Sequence, residues 1–227
     1  MLFGLACEGV TDQITIENIL CGYFKNPDLD EEITKLQPPF DETDQKQKEK
    51  EFGGWQMLLA YLSTTRFRDD VLNNNFIVIQ VDTDVSNEKG FDVPQVDADN
   101  QPLIPEVLIT NVIAKLVATI ESGEAGFYQQ HSEKIIFCVS VHSLECWLYA
   151  HHNKKPLSKP KITGCYKALS YLLPTTEKTY RCYDELSRVF LNRKNIDTVV
   201  EKDPSFCIFI QSLEKIEDQV FNFSSRD

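Results

Sequence analysis

The chain has 227 residues, of which 42% are hydrophobic and 26% charged, and its net charge at pH 7 is −12. This length suits one good-sized core with at most a small appended subdomain, and the hydrophobic content excludes general disorder. No apolar run in the sequence approaches the ~20 residues of a membrane span, so we expect a cytoplasmic protein that does not enter the membrane.

The charge is unevenly distributed along the sequence. Residues 1–152 carry 10 Lys and Arg against 25 Asp and Glu, whereas residues 153–202 carry 11 against 5. An acidic body with one basic segment is typical of a site where metal-binding carboxylates lie beside an anion-holding surface. An ordinary solvated helical face gives the same pattern, and both interpretations stay open.

The first predicted unit is a buried strand over residues 2–7, followed by a Glu8-Gly9 turn and a helix that Thr11, with Asp12 beside it, would cap. Strand, tight turn and helix form half of a βαβ unit. Glu8 then lies at the carboxyl end of a parallel strand, where ligands bind. Alternatively, its side chain caps the helix, which the helix dipole would favour.

Residues 25–54 are predicted to be mostly irregular. They contain a possible short strand over 33–36 and a charged insertion at about 38–53, bounded by paired prolines and paired glycines. A helix over 55–62 then leads towards the next strand.

The strongest strand signal is the apolar run over residues 76–81, which is short and rich in β-branched residues. Such a run is typical of a buried strand in a parallel sheet. It ends in Asp82 and Asp84, which share one side of the strand and would reach the same hard cation or its waters. Convergence of Glu8 with these two carboxylates is costly unless a cation neutralises them.

The next elements complete an alternating β/α order. An acidic loop through residue 101 could fold over the site, and Pro105 begins a helix that ends near residue 123. A buried strand over 134–141 then delivers His142 to the same sheet edge, followed by helical residues that include Glu145. If Glu145 is buried it needs a partner, which is either a basic residue or a second metal.

The last third reads as basic and mostly helical, with helices predicted over 166–173, 183–191 and 205–220. Its aromatic residues Tyr171, Tyr183, Phe190 and Phe221 are either core or a dimer face, and the core is favoured. The seven cysteines form no CxxC pair, which indicates reduced, mostly buried thiols.

The ordered set Cys7-Glu8-Gly9-Val10-Thr11-Asp12 and Asp82-Thr83-Asp84, in a β/α chain, resembles the Toprim domain. Toprim domains occur in type IA and type II topoisomerases, bacterial primases and nucleases of the OLD family. The later segments 142–150 and 204–206 look like small Toprim-like proteins of phage-defence loci, some of which work beside an ATPase. The motifs are short, so the ordered set carries the resemblance rather than any one piece.

The resemblance implies a Rossmann-like, mostly parallel sheet flanked by helices over 1–152, with a helical extension packed on it over 153–227. It implies an Mg²⁺-dependent nuclease acting on DNA or RNA, possibly tRNA, as the toxic effector of an anti-phage system with an ATPase partner and a possible homodimer. Glu8 would be a general acid/base or metal ligand, and Asp82 and Asp84 would hold the metal. The remaining predicted site residues are Asp12 as a metal ligand, Glu145 and Lys202 as catalytic residues, and Gly9, His142, Lys159 and Lys161 as substrate-binding residues.

Two other functions compete with this one. The run ending in Asp82-Thr83-Asp84-Val85 also resembles the nucleophile motif of haloacid-dehalogenase-type phosphatases, in which the first aspartate is phosphorylated. That chemistry leaves the Glu8-Gly9 turn unexplained. A non-catalytic Toprim-like interaction or sensor subunit, with carboxylates that only bind Mg²⁺ or serve structure, is the stronger rival.

Overall fold

The structure is a computed structural model that describes residues 2–39, 54–155, 158–173 and 176–224, with side chains up to residue 217. Within these ranges four strands form one sheet in the order β2-β1-β3-β4, and every neighbouring pair is parallel. The strands are β1 (Phe3–Ala6), β2 (Ile33–Gln37), β3 (Phe76–Asp82) and β4 (Ile135–Ser140). The predicted α/β class with a parallel sheet is confirmed. The predicted insertion at about 38–53 falls, from residue 40 onwards, outside the described residues.

Helices cover both faces of this sheet. They are α1 (Val10–Tyr23), α2 (Trp55–Leu62), α3 (Thr65–Asn73), α4 (Pro105–Gly123), α5 (Phe127–His131), α6 (Glu145–His152), α7 (Cys165–Leu172), α8 (Tyr180–Ser187), α9 (Arg193–Val200) and α10 (Pro204–Ser224). Among the helices of these ranges, none combines the length and apolar content needed to cross a membrane.

The strand order places a topological switch point between β1 and β3. The chain adds β2 on one side of β1 and then crosses to add β3 and β4 on the other. The connections after β1 and β3 therefore leave the sheet in opposite directions and open a crevice at the carboxyl ends of the two strands. In open α/β sheets this crevice is where ligands bind.

One face of the sheet is covered by α1 together with the C-terminal helices. Alternate strand residues such as Phe3, Leu5 and Val78 share a core with α1, Trp147 of α6 and Phe206 of α10. Residues 13–23 of α1 are all buried, because α1 lies between the sheet and the last third of the chain. The C-terminal helices thus complete a layer of the core.

Gly22 shows how closely α1 meets that last third. A Cβ atom there would lie 1.8 Å from the carbonyl oxygen of Phe190, so only glycine permits this approach. Nearby, the Asn18 side chain donates a hydrogen bond of 2.7 Å to Ser187 Oγ of α8. These contacts bind the beginning and the end of the chain into one unit.

The other face is covered by α2, α3, α4 and α5. Its core combines the strand residues of opposite parity, such as Ile77, Ile79 and Val139, with Leu58 of α2 and Leu116 of α4. Alternation of side chains along each strand divides the apolar residues between the two layers. Both faces are buried, as the continuous apolar run in β3 predicts.

Three helices, α3, α5 and α9, were absent from the sequence prediction, and one cap differs. The omitted α3 and α9 are mostly polar, but each begins at a side-chain cap: Thr64 accepts a hydrogen bond from Phe67 N and Asn192 from Lys194 N. Cap residues of this type mark helix starts and were the available signal. Helix α1 begins at Val10 with Gly9 as its N-cap, so the prediction that Thr11 caps it is wrong.

The prediction of reduced cysteines is wrong for one pair. Cys146 of α6 and Cys165 of α7 form a disulfide with a Cα–Cα distance of 4.9 Å, and Cys7, Cys21 and Cys138 are buried free thiols. The two bonded cysteines lie 19 residues apart in the sequence. Only the packing of α7 against α6 brings them together, so spacing could not reveal the bond.

Candidate active site

Glu8 and Asp82 meet at the switch point. Glu8 follows β1 and Asp82 ends β3, and these strands are hydrogen-bonded neighbours. The Asp82 N–H donates to Glu8 Oε2 at 3.4 Å, and the Glu8 N–H donates to Gln80 Oε1 at 3.2 Å. The Glu8 carboxylate thus accepts from β3, and the N-cap of α1 is Gly9. Of the two alternatives for Glu8, the position at the sheet edge is the observed one.

The Asp82 carboxylate is fixed by hydrogen bonds to one of its two oxygens. Asp82 Oδ1 accepts from Ser140 Oγ at 2.5 Å, from Gln80 Nε2 at 3.0 Å and from the N–H of Leu144 at 3.1 Å. Ser140 is its register partner on β4. The other oxygen, Oδ2, makes no hydrogen bond to a described residue, so this oxygen is left for a ligand.

Asp12 and Asp84 lie on either side of this pair. Asp12 occupies the first turn of α1, and a Cβ on Gly9 would lie 3.0 Å from Asp12 Oδ2, so the glycine lets the carboxylate approach the turn. Asp84 lies in a 3-10 turn over Thr83–Val85 that follows β3, so the prediction that it shares one side of the strand with Asp82 is wrong. Its N–H donates to the His142 carbonyl at 2.9 Å. His142 thereby lies beside Asp84 at the same edge, as predicted.

Burial, followed by the crowding of carboxylates, dominates the electrostatics of the site. The pKa of Glu8 is raised to about 7, mainly by burial; the charges of Asp84 and Glu145 contribute to the rise, while the Asp82 N–H and Lys178 oppose it. The pKa values of Asp12 and Asp82 are also raised well above the usual range. Burial is the largest cause for both; the second is the charge of Glu8 for Asp12 and the charge of Asp12 for Asp82. The cluster therefore carries more negative charge than its surroundings neutralise, and a bound cation would relieve this.

Glu145 differs from the other carboxylates because it has a cationic partner. It is 4% exposed, its Oε1 lies 3.1 Å from Lys178 Nζ, and the Tyr183 hydroxyl donates to the same oxygen at 2.5 Å. Although burial opposes the change, Lys178 lowers the pKa of Glu145. Of the two alternatives for Glu145, pairing with a basic residue is the observed one.

Asp84, at the outer edge of the cluster, lines a pocket of about 390 Å³, whereas Glu8, Asp12 and Asp82 are not among its lining residues. Asp84, His142, Glu145 and Lys178 supply its charged or ionisable lining, while Gln95 comes from the acidic loop. The Gln95 amide donates to the Thr83 carbonyl at 2.7 Å and to the Asp84 carbonyl at 3.1 Å. As expected, this loop folds over the site. Burial lowers the pKa of His142, with Asp84 opposing.

Three predicted lysines are not brought to the carboxylates. Lys159, Lys161 and Lys202 line a second pocket of about 180 Å³ beside the carboxyl end of α6. The Lys202 ammonium donates to the Ala150 carbonyl at 3.0 Å. The cation that the structure places at the cluster is Lys178, which belongs to the same basic segment.

The residues at the switch point fit an Mg²⁺ ion by their chemistry. Their donors are hard carboxylate oxygens, and Mg²⁺ commonly takes one or two protein carboxylates and keeps several waters. Across the part of the chain that the structure describes, no group of three or more His, Cys, Asp or Glu forms a ready-made metal cage. The arrangement suits a two-carboxylate site in which water and substrate oxygens complete the coordination.

Sequence reasoning missed several residues that build the site. Gln80 and Ser140 hold Asp82, while Lys178 and Tyr183 hold Glu145. A polar residue inside an apolar strand, such as Gln80, was a visible signal because a buried amide needs partners. Lys178 had no such signal, since it is one of 11 Lys and Arg in its segment.

Comparisons with known proteins leave the site to be interpreted from its own chemistry. Neither a protein-family model, nor a curated protein, nor a solved structure matches this chain.

Proposed function

We propose that this chain is an Mg²⁺-dependent nuclease of the Toprim type that hydrolyses phosphodiester bonds in DNA or RNA. One observation carries the proposal: Glu8 and Asp82, 74 residues apart in sequence, meet through an Asp82 N–H to Glu8 hydrogen bond at the switch point of a parallel sheet. The Toprim resemblance assigns its metal and its acid/base to these same two positions.

The metal role falls to Asp82 and Asp84. Asp82 presents Oδ2 while its other oxygen is fixed by three hydrogen bonds, and Asp84 lies two residues further at the open side of the crevice. When bound there, Mg²⁺ would supply Lewis-acid stabilisation of phosphoryl charge and a lower pKa for an attacking water. Asp12 behind them adds negative charge that strengthens cation binding.

Proton transfer falls to Glu8. A pKa of about 7 gives this carboxyl comparable amounts of acid and base form near neutral pH, which is the condition for general acid–base catalysis. Glu8 would accept a proton from the attacking water or donate one to the leaving oxygen. Its backbone is held by Gln80 and its side chain by the Asp82 N–H, so its reach is confined to the crevice.

Phosphate stabilisation falls to Lys178. Its ammonium contacts Glu145, yet the side chain is 61% exposed and lines the pocket with Asp84 and His142. An ammonium has three donor positions, so contact with Glu145 leaves others for a phosphate oxygen. Charge placed where it develops in the transition state is the usual source of such stabilisation.

Purified protein incubated with DNA and RNA in Mg²⁺ or Mn²⁺ tests the proposal. We expect cleavage that Asp82→Ala and Glu8→Ala abolish and that Asp69→Ala, an exposed carboxylate on α3, leaves unchanged. Cleavage indifferent to Asp82 and Glu8 would contradict it. Binding without cleavage would indicate the interaction or sensor subunit, and phosphate release from small monoesters would indicate the phosphatase.

The proposed biological setting rests on the Toprim resemblance alone. In this setting the chain would be a cytoplasmic effector of an anti-phage system, would work beside an ATPase and would form a homodimer. Co-expression with and without a neighbouring ATPase tests the partnership: we expect toxicity that the ATPase suppresses and that Asp82→Ala removes.

A further inference from the structure

The pocket at the carboxyl end of α6 has the character of an anion site. Its lining combines the ammonium groups of Lys155, Lys159, Lys161 and Lys202 with the polar side chains of Tyr149, Asn153 and Ser158, and Glu201 is the carboxylate among them. In an otherwise acidic chain, with a net charge of −12, this gathering of lysines is a local reversal of charge. Lysine is a common point-charge partner of phosphate.

These lysines are not held by carboxylates. Within the ranges that the structure describes, none of the four forms a salt bridge, and only Lys202 uses its ammonium in a hydrogen bond, to the Ala150 carbonyl. An anion entering the pocket therefore need not displace an internal partner. This distinguishes the lysines from Lys178, which is engaged by Glu145.

The lysine pocket and the carboxylate pocket share two walls. One is a face of α6, because Glu145 lines the carboxylate pocket while Tyr149, four residues later on the same helix face, lines the lysine pocket together with Asn153, the residue directly after the helix. The other is the segment 158–166, whose residues 158–161 line the lysine pocket and residues 163–166 the carboxylate pocket. The two pockets are therefore consecutive parts of one surface path.

The separation along that path matches a nucleic-acid strand. Four to eight residues of helix correspond to about 6–12 Å at 1.5 Å per residue. Successive phosphates of one stacked strand advance by about 3.4 Å along the axis, so the interval spans about two to four nucleotides. A mononucleotide or small phosphate ester in the carboxylate pocket would be too short to reach the lysines.

We propose that the lysine pocket binds a backbone phosphate of a single nucleic-acid strand, two to four nucleotides from the bond held at the carboxylates. This inference rests on the proposed nuclease function and deepens it, because it makes a polynucleotide the substrate class. Phosphate contacts position a strand without reading its sequence. Recognition through this pocket is therefore independent of base identity.

Binding measured without cleavage tests the inference separately from the nuclease activity. The full chain is titrated against fluorescein-labelled single strands of 2, 4 and 12 nucleotides, as DNA and as RNA, in EDTA, with anisotropy as the readout and salt varied from 20 to 200 mM. We expect Lys159→Gln with Lys161→Gln to weaken binding of the 12-mer about tenfold at low salt. The slope of log affinity against log salt should fall by about 0.7, since the pocket holds one phosphate and each single-strand phosphate contact contributes about 0.7.

The matched control removes two positive charges elsewhere. Lys115 lies on α4, on the other face of the sheet, and Lys215 lies on α10, 13 residues beyond Lys202; Lys115→Gln with Lys215→Gln should leave the slope unchanged. Charge reversal, Lys159→Glu with Lys161→Glu, should weaken binding further at an unchanged thermal midpoint, because neither lysine is in a salt bridge.

Three outcomes would overturn the inference: no measurable binding by the wild-type chain, equal losses in the pocket and control variants, or competition by inorganic phosphate or a mononucleotide as strong as that of the 12-mer. Failure of the nuclease proposal looks different, because the chain would then bind the 12-mer through the lysines and still not cleave it in Mg²⁺. If the chain cleaves nucleic acid and the lysine changes do not affect cleavage, the nuclease proposal is supported and the lysine pocket does not contact the substrate.

Discussion

The two ends of α6 handle charge in opposite ways. At its first turn, Glu8, Asp12, Asp82 and Asp84 crowd together at the switch point, and burial together with mutual repulsion raises the pKa of each. At its last turn, mostly exposed lysines line a pocket, and water solvates their like charges. Like charges destabilise a protein strongly when they are buried and only weakly when they are exposed to water. A bound cation would therefore stabilise the carboxylate end, and the lysine end is available to an anion.

The largest expected effect comes from removing one charge at the carboxylate end. Asp82→Asn keeps the Oδ1 acceptor for Ser140, Gln80 and Leu144 N–H but loses the negative charge. We expect cleavage to fall at least about 1,000-fold and Mg²⁺ to stop raising the thermal midpoint, while the metal-free protein stays as stable as wild type or becomes more stable. Rate assays and thermal scans with and without Mg²⁺ check this, with Asp69→Asn as control. More than a tenth of wild-type activity would contradict the assignment.

The next effect concerns the wall that the two pockets share. The Cys146–Cys165 disulfide closes a loop of 19 residues that contains segment 158–164, and a loop of this size contributes about 3 kcal/mol in the chain-entropy model. Cys146→Ser with Cys165→Ser should lower the free energy of unfolding by about that amount, measured by urea denaturation. Cys182→Ser, at a partly exposed cysteine outside the disulfide, is the control. An equal loss in both variants would show that the bond does not stabilise the wall.

Metal and pH together sharpen the contrast between the ends. A carboxyl whose folded pKa is raised, such as Glu8 at about 7 against 4.5, binds more protons when folded, so its stabilising contribution is complete below pH 4.5 and is lost as pH rises past 7. Metal-free protein should therefore lose stability from pH 4.5 to 8. Saturating Mg²⁺ should restore about 2.7 kcal/mol at 100 times its Kd.

The increase in thermal midpoint caused by Mg²⁺ should accordingly be several degrees at pH 8 and small at pH 5, because protons compete for the same oxygens. Differential scanning fluorimetry across this range measures it. The Asp82→Asn variant supplies the control. An Mg²⁺ effect independent of pH would place the cation elsewhere.

The smallest expected effect is at Lys178. Its removal leaves Glu145 buried without a counter-charge, but the lysine is 61% exposed, so we expect Lys178→Gln to cost only about 1–2 kcal/mol of stability. Adding Glu145→Gln should recover most of this loss. Cleavage should stay 10- to 100-fold down in both variants, because the phosphate-stabilising ammonium is absent.

Chemical denaturation and rate assays separate the two roles of Lys178. Lys167→Gln, an exposed lysine on neighbouring α7, is the matched control. Recovery of both stability and activity in the double variant would mean that Lys178 serves structure alone.

The part of the site that could be predicted is the part for which a local sequence pattern and a general rule of parallel sheets give the same answer. A β-branched run ending in Asp82 predicted a parallel strand, and parallel strands bring their carboxyl ends to one edge, so Glu8 and Asp82 could be placed together before any coordinates. Gly9 instead of Thr11 as the N-cap shows the limit of such reasoning, since several cap residues compete within one turn and the sheet edge decides among them.

The remainder depended on contacts between distant helices. Lys178 reaches Glu145 across 33 residues, and Cys146 reaches Cys165 because α7 packs on α6. Composition correctly marked residues 153–202 as basic, but only packing divides them into Lys178 at the carboxylates and Lys159, Lys161 and Lys202 at the far end of α6. The aromatic residues divide in the same way: Tyr183 and Phe190 are core, Tyr171 is 78% exposed, and the Phe221 side chain lies outside the described residues.

The burial of α1 has a consequence for the order in which the molecule can be made. Glu8 and Asp12 stand at the start of a helix whose outer surface is covered by α8, residues 188–191 and α9, so a nascent chain on the ribosome holds the carboxylates of the proposed site long before it holds the helices that cover α1. On the proposed function, the protein would stay inert during its own translation, next to mRNA and tRNA, and would become competent only once its final helices had emerged.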